Sequence, residues 1–154
     1  MEIHRDIYLD KLISKKHNKL IKVITGIRRC GKSYLLFKLF RDHLVSAGID
    51  GDHIIEMAFD LYENKAYRDP ELLFPHIKGL IKDDEMHYVL LDEVQLLGDF
   101  EAVLNSLARM QNVDVYVTGS NAKFLSKDII TEFRGRGDEV HMHFNKPEQT
   151  ICNV

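Results

Sequence analysis

Apolar positions along this chain fall into two rhythms that take turns. "LIKVIT" (20–25), "HIIEMAFD" (53–60), "HYVLLDE" (87–93), "VDVYVTGS" (113–120) and "DEVHMHF" (138–144) are short runs rich in aliphatic and β-branched residues, and they predict strands. Between them the spacing is helical. From Lys32 onward Leu35, Leu36, Leu39, Phe40 and Leu44 form one stripe, closed by Gly48 as a helix-ending glycine. Over 99–111, Phe100, Val103, Leu104, Leu107 and Ala108 share a face, and over 121–135 so do Ala122, Leu125, Ile129 and Phe133. Residues 70–84 predict a helix broken at Pro75, which lacks a backbone donor, and "LYENKAYRD" (61–69) predicts a polar loop. Strand and helix alternate five times, which predicts an α/β fold with a five-stranded parallel sheet covered by helices on both faces.

In such sheets ligands bind beyond the carboxyl ends of the strands. Those ends carry "GIRRCGKS" (26–33), Asp60, Asp92–Glu93 and "TGSN" (118–121). Gly26, Gly31, Lys32 and Ser33 satisfy G-x-x-x-x-G-K-[ST] at a strand-to-helix join. Glycines there let the backbone curl so that several N–H groups converge on one anion, and the helix N-terminus adds unpaired donors. The whole stretch Gly26, Ile27, Arg28, Arg29, Cys30, Gly31, Lys32, Ser33 and Tyr34 is therefore the candidate cradle for a nucleotide's phosphates. Lys32 contacts the β- and γ-phosphates, and the Ser33 hydroxyl is a candidate ligand of Mg²⁺. Arg28 and Arg29 either approach a phosphate or a neighbouring subunit, or face solvent. Cys30 is either a passive loop residue or a thiol activated by the helix N-terminus.

"YVLLDE" delivers two carboxylates to the end of a buried strand. Asp92 is the candidate second ligand of Mg²⁺, and Glu93 the candidate base that orients and deprotonates water. Gln95 either helps position that water or lies on the surface. His141 and His143 share one face of the fifth strand and are read as structural, in a strand central to the packed fold.

Bulk properties narrow the class. The net charge of −3 and pI near 6.2 argue against a whole-surface nucleic-acid binder. "KKHNK" (15–19) is either a local basic patch or a solvated turn before the first strand. Cys30 and Cys152 make no disulfide framework, the N-terminus is no signal peptide, and no run approaches the ~20 apolar residues that span a bilayer. A cytoplasmic protein without a membrane partner is expected.

The loop and the carboxylate pair together resemble those of P-loop ATPases of the additional-strand, catalytic-glutamate division. "YLDKLISKKHNKLIKVITGIRRCGKSYLL", "LLDEVQLL", "TGSNAKFLS" and "FRGR" resemble, across residues 5–144, an AAA-like family of bacterial and archaeal ATPases. The resemblance implies a three-layer P-loop sandwich and hydrolysis of ATP with Mg²⁺. It implies a polar sensor of the γ-phosphate or attacking water at Ser120 or Asn121. It also implies an arginine finger at Arg134 or Arg136, acting on a neighbouring subunit's nucleotide, hence self-association. Ser120 or Asn121 also suits a helix cap, and the two arginines a basic helix C-terminus.

The core is expected over 1–144, with 145–154 departing from the family pattern. Family members continue into a "PLSF"-like segment, a helical lid and a C-terminal domain with winged-helix and nuclease-like features, whereas this chain reads "HMHFNKPEQTICNV". A cloned core, a truncated gene product and a stand-alone short form all fit that reading. The alternative to an ATPase is a nucleotide-gated interaction or regulatory module with slow hydrolysis, DNA-associated in one version. Adenine is the expected base, since no guanine-reading N-K-x-D occurs.

Overall fold

Alternate residues of a strand point to opposite faces, and in this protein that alternation sorts the core into two halves. The computed structural model describes residues 2–26, 31–120 and 137–142. In chain order the elements are α1 (Glu2–Ser14), β1 (Ile21–Thr25), α2 (32–46), β2 (Ile54–Ala58), α3 (Pro70–Leu80), β3 (His87–Asp92), α4 (Phe100–Ala108), β4 (Val113–Thr118) and β5 (Gly137–His141). Ile21, Val23, Val89, Leu91, Val113, Val115 and Val117 face α3 and α4, meeting Leu73, Ile77, Phe100, Val103, Leu104 and Leu107. Ile24, Tyr88, Leu90, Tyr116 and Val140 face the other way, against Leu12 of α1 and Leu35, Leu36, Phe40 and Leu44 of α2. The result is a helix–sheet–helix sandwich.

The five strands are parallel in the order β2-β3-β4-β1-β5. β4 lies between β1 and β3, so the glycine–lysine loop and the carboxylate pair sit on strands separated by one additional strand. Their carboxyl ends nevertheless share one edge of the sheet. Among the described residues no helix is long and apolar enough to cross a membrane.

Most elements fall where the periodicity puts them. α2 ends as expected: Gly48 takes φ 93°, the Ile49 N–H bonds the Leu44 carbonyl and the Gly48 N–H bonds that of Val45, each at 3.0 Å. Three expectations are corrected and one element is added. Pro75 does not break α3, because it and Glu71, whose carbonyl loses its partner, are both exposed to water. The polar stretch after β2 winds into a 3₁₀ helix, Tyr62–Arg68, because Asn64 and Arg68 donate to the Ala58 and Phe59 carbonyls at 2.9 Å each. β5 is an edge strand rather than a central one, and the His141 side chain is 46% exposed. α1, which the mixed N-terminal pattern did not announce, docks Leu12 fully into the core.

The "KKHNK" segment is more than a solvated turn. His17 and Lys19 adopt left-handed φ of 63° and 67°, and side-chain bonds tie the segment to the sheet. The His17 N–H donates to Asp114 at 3.0 Å, its ring meets the Tyr88 hydroxyl at 2.6 Å, and Lys15 pairs with Asp138 at 2.7 Å. α2 widens to a π-helical turn over Leu35–Phe40. The predicted helix at 121–135 lies outside the described residues.

Candidate functional site

β1 is followed by Gly26 at φ 148°, and a Cβ there would meet the Met142 carbonyl oxygen at 3.0 Å. A side chain is excluded both by conformation and by the close approach of β5. Gly31 precedes α2 at φ 85°, a left-handed value that turns the chain into the helix without a Cβ penalty. Lys32, the first residue of α2, is 4% exposed, and its ammonium donates to the Gly26 carbonyl at 2.9 Å. A buried cation therefore ties the start of α2 back to Gly26, the residue after β1. Ser33 is exposed and Tyr34 half-buried on the same first turn.

From Ser33 a line of hydrogen bonds runs across the ends of two strands. The Ser33 hydroxyl donates to Asp92 Oδ2 at 2.8 Å. Thr118, the last residue of β4, donates to Asp92 Oδ1 at 2.5 Å and accepts the Glu93 N–H at 2.9 Å. Glu93 leaves the strand in a left-handed conformation, φ 56° and ψ 50°. Such a conformation costs a non-glycine residue of order 1–3 kcal/mol and persists where its surroundings enforce it; here the Thr118 hydroxyl fastens its N–H. The carboxylate is held too, because Glu93 Oε1 accepts from Gln95 Nε2 at 2.7 Å and from the Ser120 hydroxyl at 2.8 Å. Gln95 Oε1 is buried with no hydrogen-bond partner among the described residues.

Burial raises the Asp92 pKa above the ordinary carboxylate range. The bonds from Thr118 and Ser33 oppose that shift, while the negative charges of Glu93 and Asp60 add to it. A hard divalent cation fits this donor set. It consists of a hydroxyl and a carboxylate oxygen, and the buried carboxylate's ionised form is one that a nearby positive charge would favour.

The structure thus brings Gly26, Gly31, Lys32, Ser33, Asp92, Glu93 and Ser120 to one end of the sheet, as the topology of the motifs anticipated. Ile27, Arg28, Arg29, Cys30, Asn121, Arg134 and Arg136 lie outside the described residues, as does His143. His141 stands apart from the line, its Nδ1 2.8 Å from the Thr25 hydroxyl on the β1–β5 side. Two contributors were not assigned these contacts from sequence. Thr118 is the latch between β3 and β4, and Gln95 reaches back to Glu93 rather than to solvent. Their only signal was position, within "TGSN" and "DEVQ".

Comparison with known proteins bears on the family and the fold. Residues 18–146 match the family model described as AAA domain. An uncharacterised protein of Haemophilus influenzae is 35% identical over 142 residues, 92% of this chain and 35% of that protein. The uncharacterised protein MJ1544 of Methanocaldococcus jannaschii is 33% identical over 138 residues, 87% of this chain and 27% of that one. The chain thus spans about a third of the length of the curated relatives it matches. The solved structure of the Aeropyrum pernix ORC1 protein in complex with DNA shares the fold, with a TM-score of 0.63 at 13% identity over 96% of this chain and 48% of that one. Sequence match and sheet order agree, and the chain belongs to the AAA domain family.

Proposed function

We propose that this chain binds ATP together with Mg²⁺ and hydrolyses the bond to the γ-phosphate. The observation that carries this reading is the continuous line Ser33–Asp92–Thr118–Glu93–Ser120, which ties the turn after the glycine loop to two strand ends. Ser33 and Asp92 would hold the cation, which when bound neutralises phosphate charge. The Lys32 ammonium offsets charge on the β- and γ-phosphates. Glu93 orients a water and takes its proton as the water oxygen bonds to phosphorus and the bridging bond to the leaving diphosphate breaks. Ser120 positions the Glu93 carboxylate.

Calorimetric titration with Mg-ATP tests the reading. Lys32→Ala should weaken binding roughly 10–100-fold or more, since charge-assisted bonds to phosphate are each worth ~1.5–3 kcal/mol. Asp92→Asn should remove the difference in affinity between Mg²⁺ and chelator. Affinity unchanged in Lys32→Ala would sink the assignment.

A second reading, the nucleotide-gated module with slow turnover, is favoured by one detail. Both donors on Glu93 converge on Oε1, so one of the two carboxylate oxygens is already occupied and only Oε2 is left to face water. Parent turnover measured beside affinity separates the two readings. If Arg134 or Arg136 completes a neighbour's site, a finger worth ~10³-fold or more makes phosphate release rise faster than linearly with protein concentration. Strictly linear turnover would place every catalytic group within one chain.

A further inference from the structure

A cluster of titratable side chains lies at the opposite end of the sheet, where β2 and β3 begin. The two strands pair with Ile54 opposite Tyr88, so His53 and His87, one position earlier, lie side by side. Their ring centroids are 4.7 Å apart, and their exposures are 8% and 0%. The turn between α3 and β3 brings Asp83 over them. Its Oδ2 is 2.9 Å and its Oδ1 3.1 Å from His53 Nε2, and Oδ1 is 3.9 Å from His87 Nε2. The turn is itself anchored: Asp83 Oδ1 accepts the Glu85 N–H at 2.9 Å, and the Asp83 carbonyl accepts from Asn112 at 2.9 Å.

The proton on His87 can be placed. Its Nδ1 is 2.7 Å from the Glu85 carbonyl, which only accepts, so Nδ1 carries the hydrogen. In the neutral ring Nε2 then presents a lone pair towards the Asp83 carboxylate. Among the described residues the donor that reaches it is the Lys82 N–H at 3.4 Å, longer than a good hydrogen bond. Two acceptors thus face each other with little between them. A backbone carbonyl on the far nitrogen of an imidazole is also how metal-binding histidines are oriented.

We propose that His53 Nε2, His87 Nε2 and one Asp83 carboxylate oxygen form a site for a divalent transition-metal ion of the Zn²⁺ class, with water in the remaining position. The three ligand atoms lie within 4.8 Å of one another, and among the described residues this is the group of His, Cys, Asp and Glu side chains close enough to do so. Bonds of ~2.0–2.2 Å set tetrahedral ligands about 3.3 Å apart, so atoms up to 4.8 Å apart close by at most about 1.5 Å. Asp83, its side chain 39% exposed on a turn, supplies part of that shift, and small movements of the two imidazole rings supply the rest. Imidazole nitrogens favour zinc-like ions over Mg²⁺, which separates this site chemically from Ser33 and Asp92. It is separate in space as well, since His87 and Asp92 are the two ends of β3, about 16 Å apart at ~3.3 Å per residue. Binding uses both imidazoles in the neutral form with the hydrogen on Nδ1, so the His53 hydrogen facing Asp83 moves from Nε2 to Nδ1, and protons compete with the ion as pH is lowered. The ion would clip edge strand β2 to β3 and to the turn that precedes it.

The test is titration of the metal-stripped chain with Zn²⁺ against a chromophoric chelator, with Co²⁺ as a spectroscopic probe. One Zn²⁺ per chain is expected, with a tetrahedral Co²⁺ spectrum and a rise in thermal midpoint on adding Zn²⁺. His53→Gln and Asp83→Asn should each lower Zn²⁺ affinity about 10-fold or more and abolish the midpoint rise, whereas Asp92→Asn should leave both unchanged. Asp83→Asn keeps a carbonyl for the Glu85 N–H on an exposed turn, so it reports even if His53→Gln does not fold. Absence of stoichiometric Zn²⁺ binding, or affinity unchanged in Asp83→Asn, would overturn the proposal.

Discussion

Replacing Glu93 with glutamine is expected to lower ATP hydrolysis by about 10²–10⁴-fold, the usual worth of a positioned general base, while Mg-ATP affinity stays within about twofold. The geometry explains why binding should survive. Glu93 Oε1 accepts two hydrogen bonds, from Gln95 and Ser120. A glutamine that turns its carbonyl oxygen to that side keeps both donors satisfied and places its NH₂ where Oε2 was. Backbone strain at Glu93 is unchanged, since Thr118 still fastens the N–H. What is lost is the lone pair that receives the water's proton. Single-turnover phosphate release beside calorimetric affinity makes the comparison. Hydrolysis at the parent rate would remove Glu93 from its role, and a parallel loss of binding would show that the carboxylate organises the site instead of acting in it.

The second large effect is on stability, at the far end of the sheet. Lys22 and Asp114 form an ion pair with side chains 0% and 2% exposed. Lys22 also donates to Asn18 and lies over the Tyr116 ring, 4.9 Å from its centroid. Asp114 takes two further donors, the Tyr116 hydroxyl and the His17 N–H. Breaking a buried pair by removing one partner costs ~3–5 kcal/mol, because the remaining charge is uncompensated. Asp114→Ala should therefore cost about that much in denaturant unfolding at neutral pH. Lys22→Met should cost less, because Asp114 keeps two donors.

The pH dependence follows from the sign of the lysine's shift. Burial already pushes the Lys22 ammonium below its ordinary value, against the pull of Asp114. Without Asp114 that depression deepens, so the unfolded state binds the proton more tightly than the folded one. Stability of Asp114→Ala should then rise with pH between the folded pKa and the unfolded value of ~10.4, and its deficit against the parent should shrink. A deficit below ~1 kcal/mol at neutral pH, or one that grows as pH rises, would show that the pair is not holding the "KKHNK" turn to the sheet.

Several features of this protein were written locally and could be read without coordinates. Strand and helix periodicity depend only on which side of its own element a residue buries, and α2, α4 and the strands follow it closely. The Gly48 helix end is local because the glycine's conformation, its bond to Val45 and the Ile49 bond to Leu44 lie within six residues. The glycine–lysine loop and the Asp92–Glu93 pair are contiguous too, since a phosphate cradle is built from consecutive backbone groups. Other features were settled only when strands chose neighbours. Placing β4 between β1 and β3 brought Thr118 onto Asp92 and Ser120 onto Glu93, across 26 and 27 residues. The same choice paired Lys22 with Asp114 across 92 residues, and the β2–β3 register set His53 beside His87. Such contacts leave no periodic trace. A buried lysine reads locally as an interruption in a strand, and a threonine at a strand end reads as any other β-branched residue. Their roles come from a partner brought close by sheet order, and sheet order is decided by how all five strands and both helical layers bury their apolar faces together.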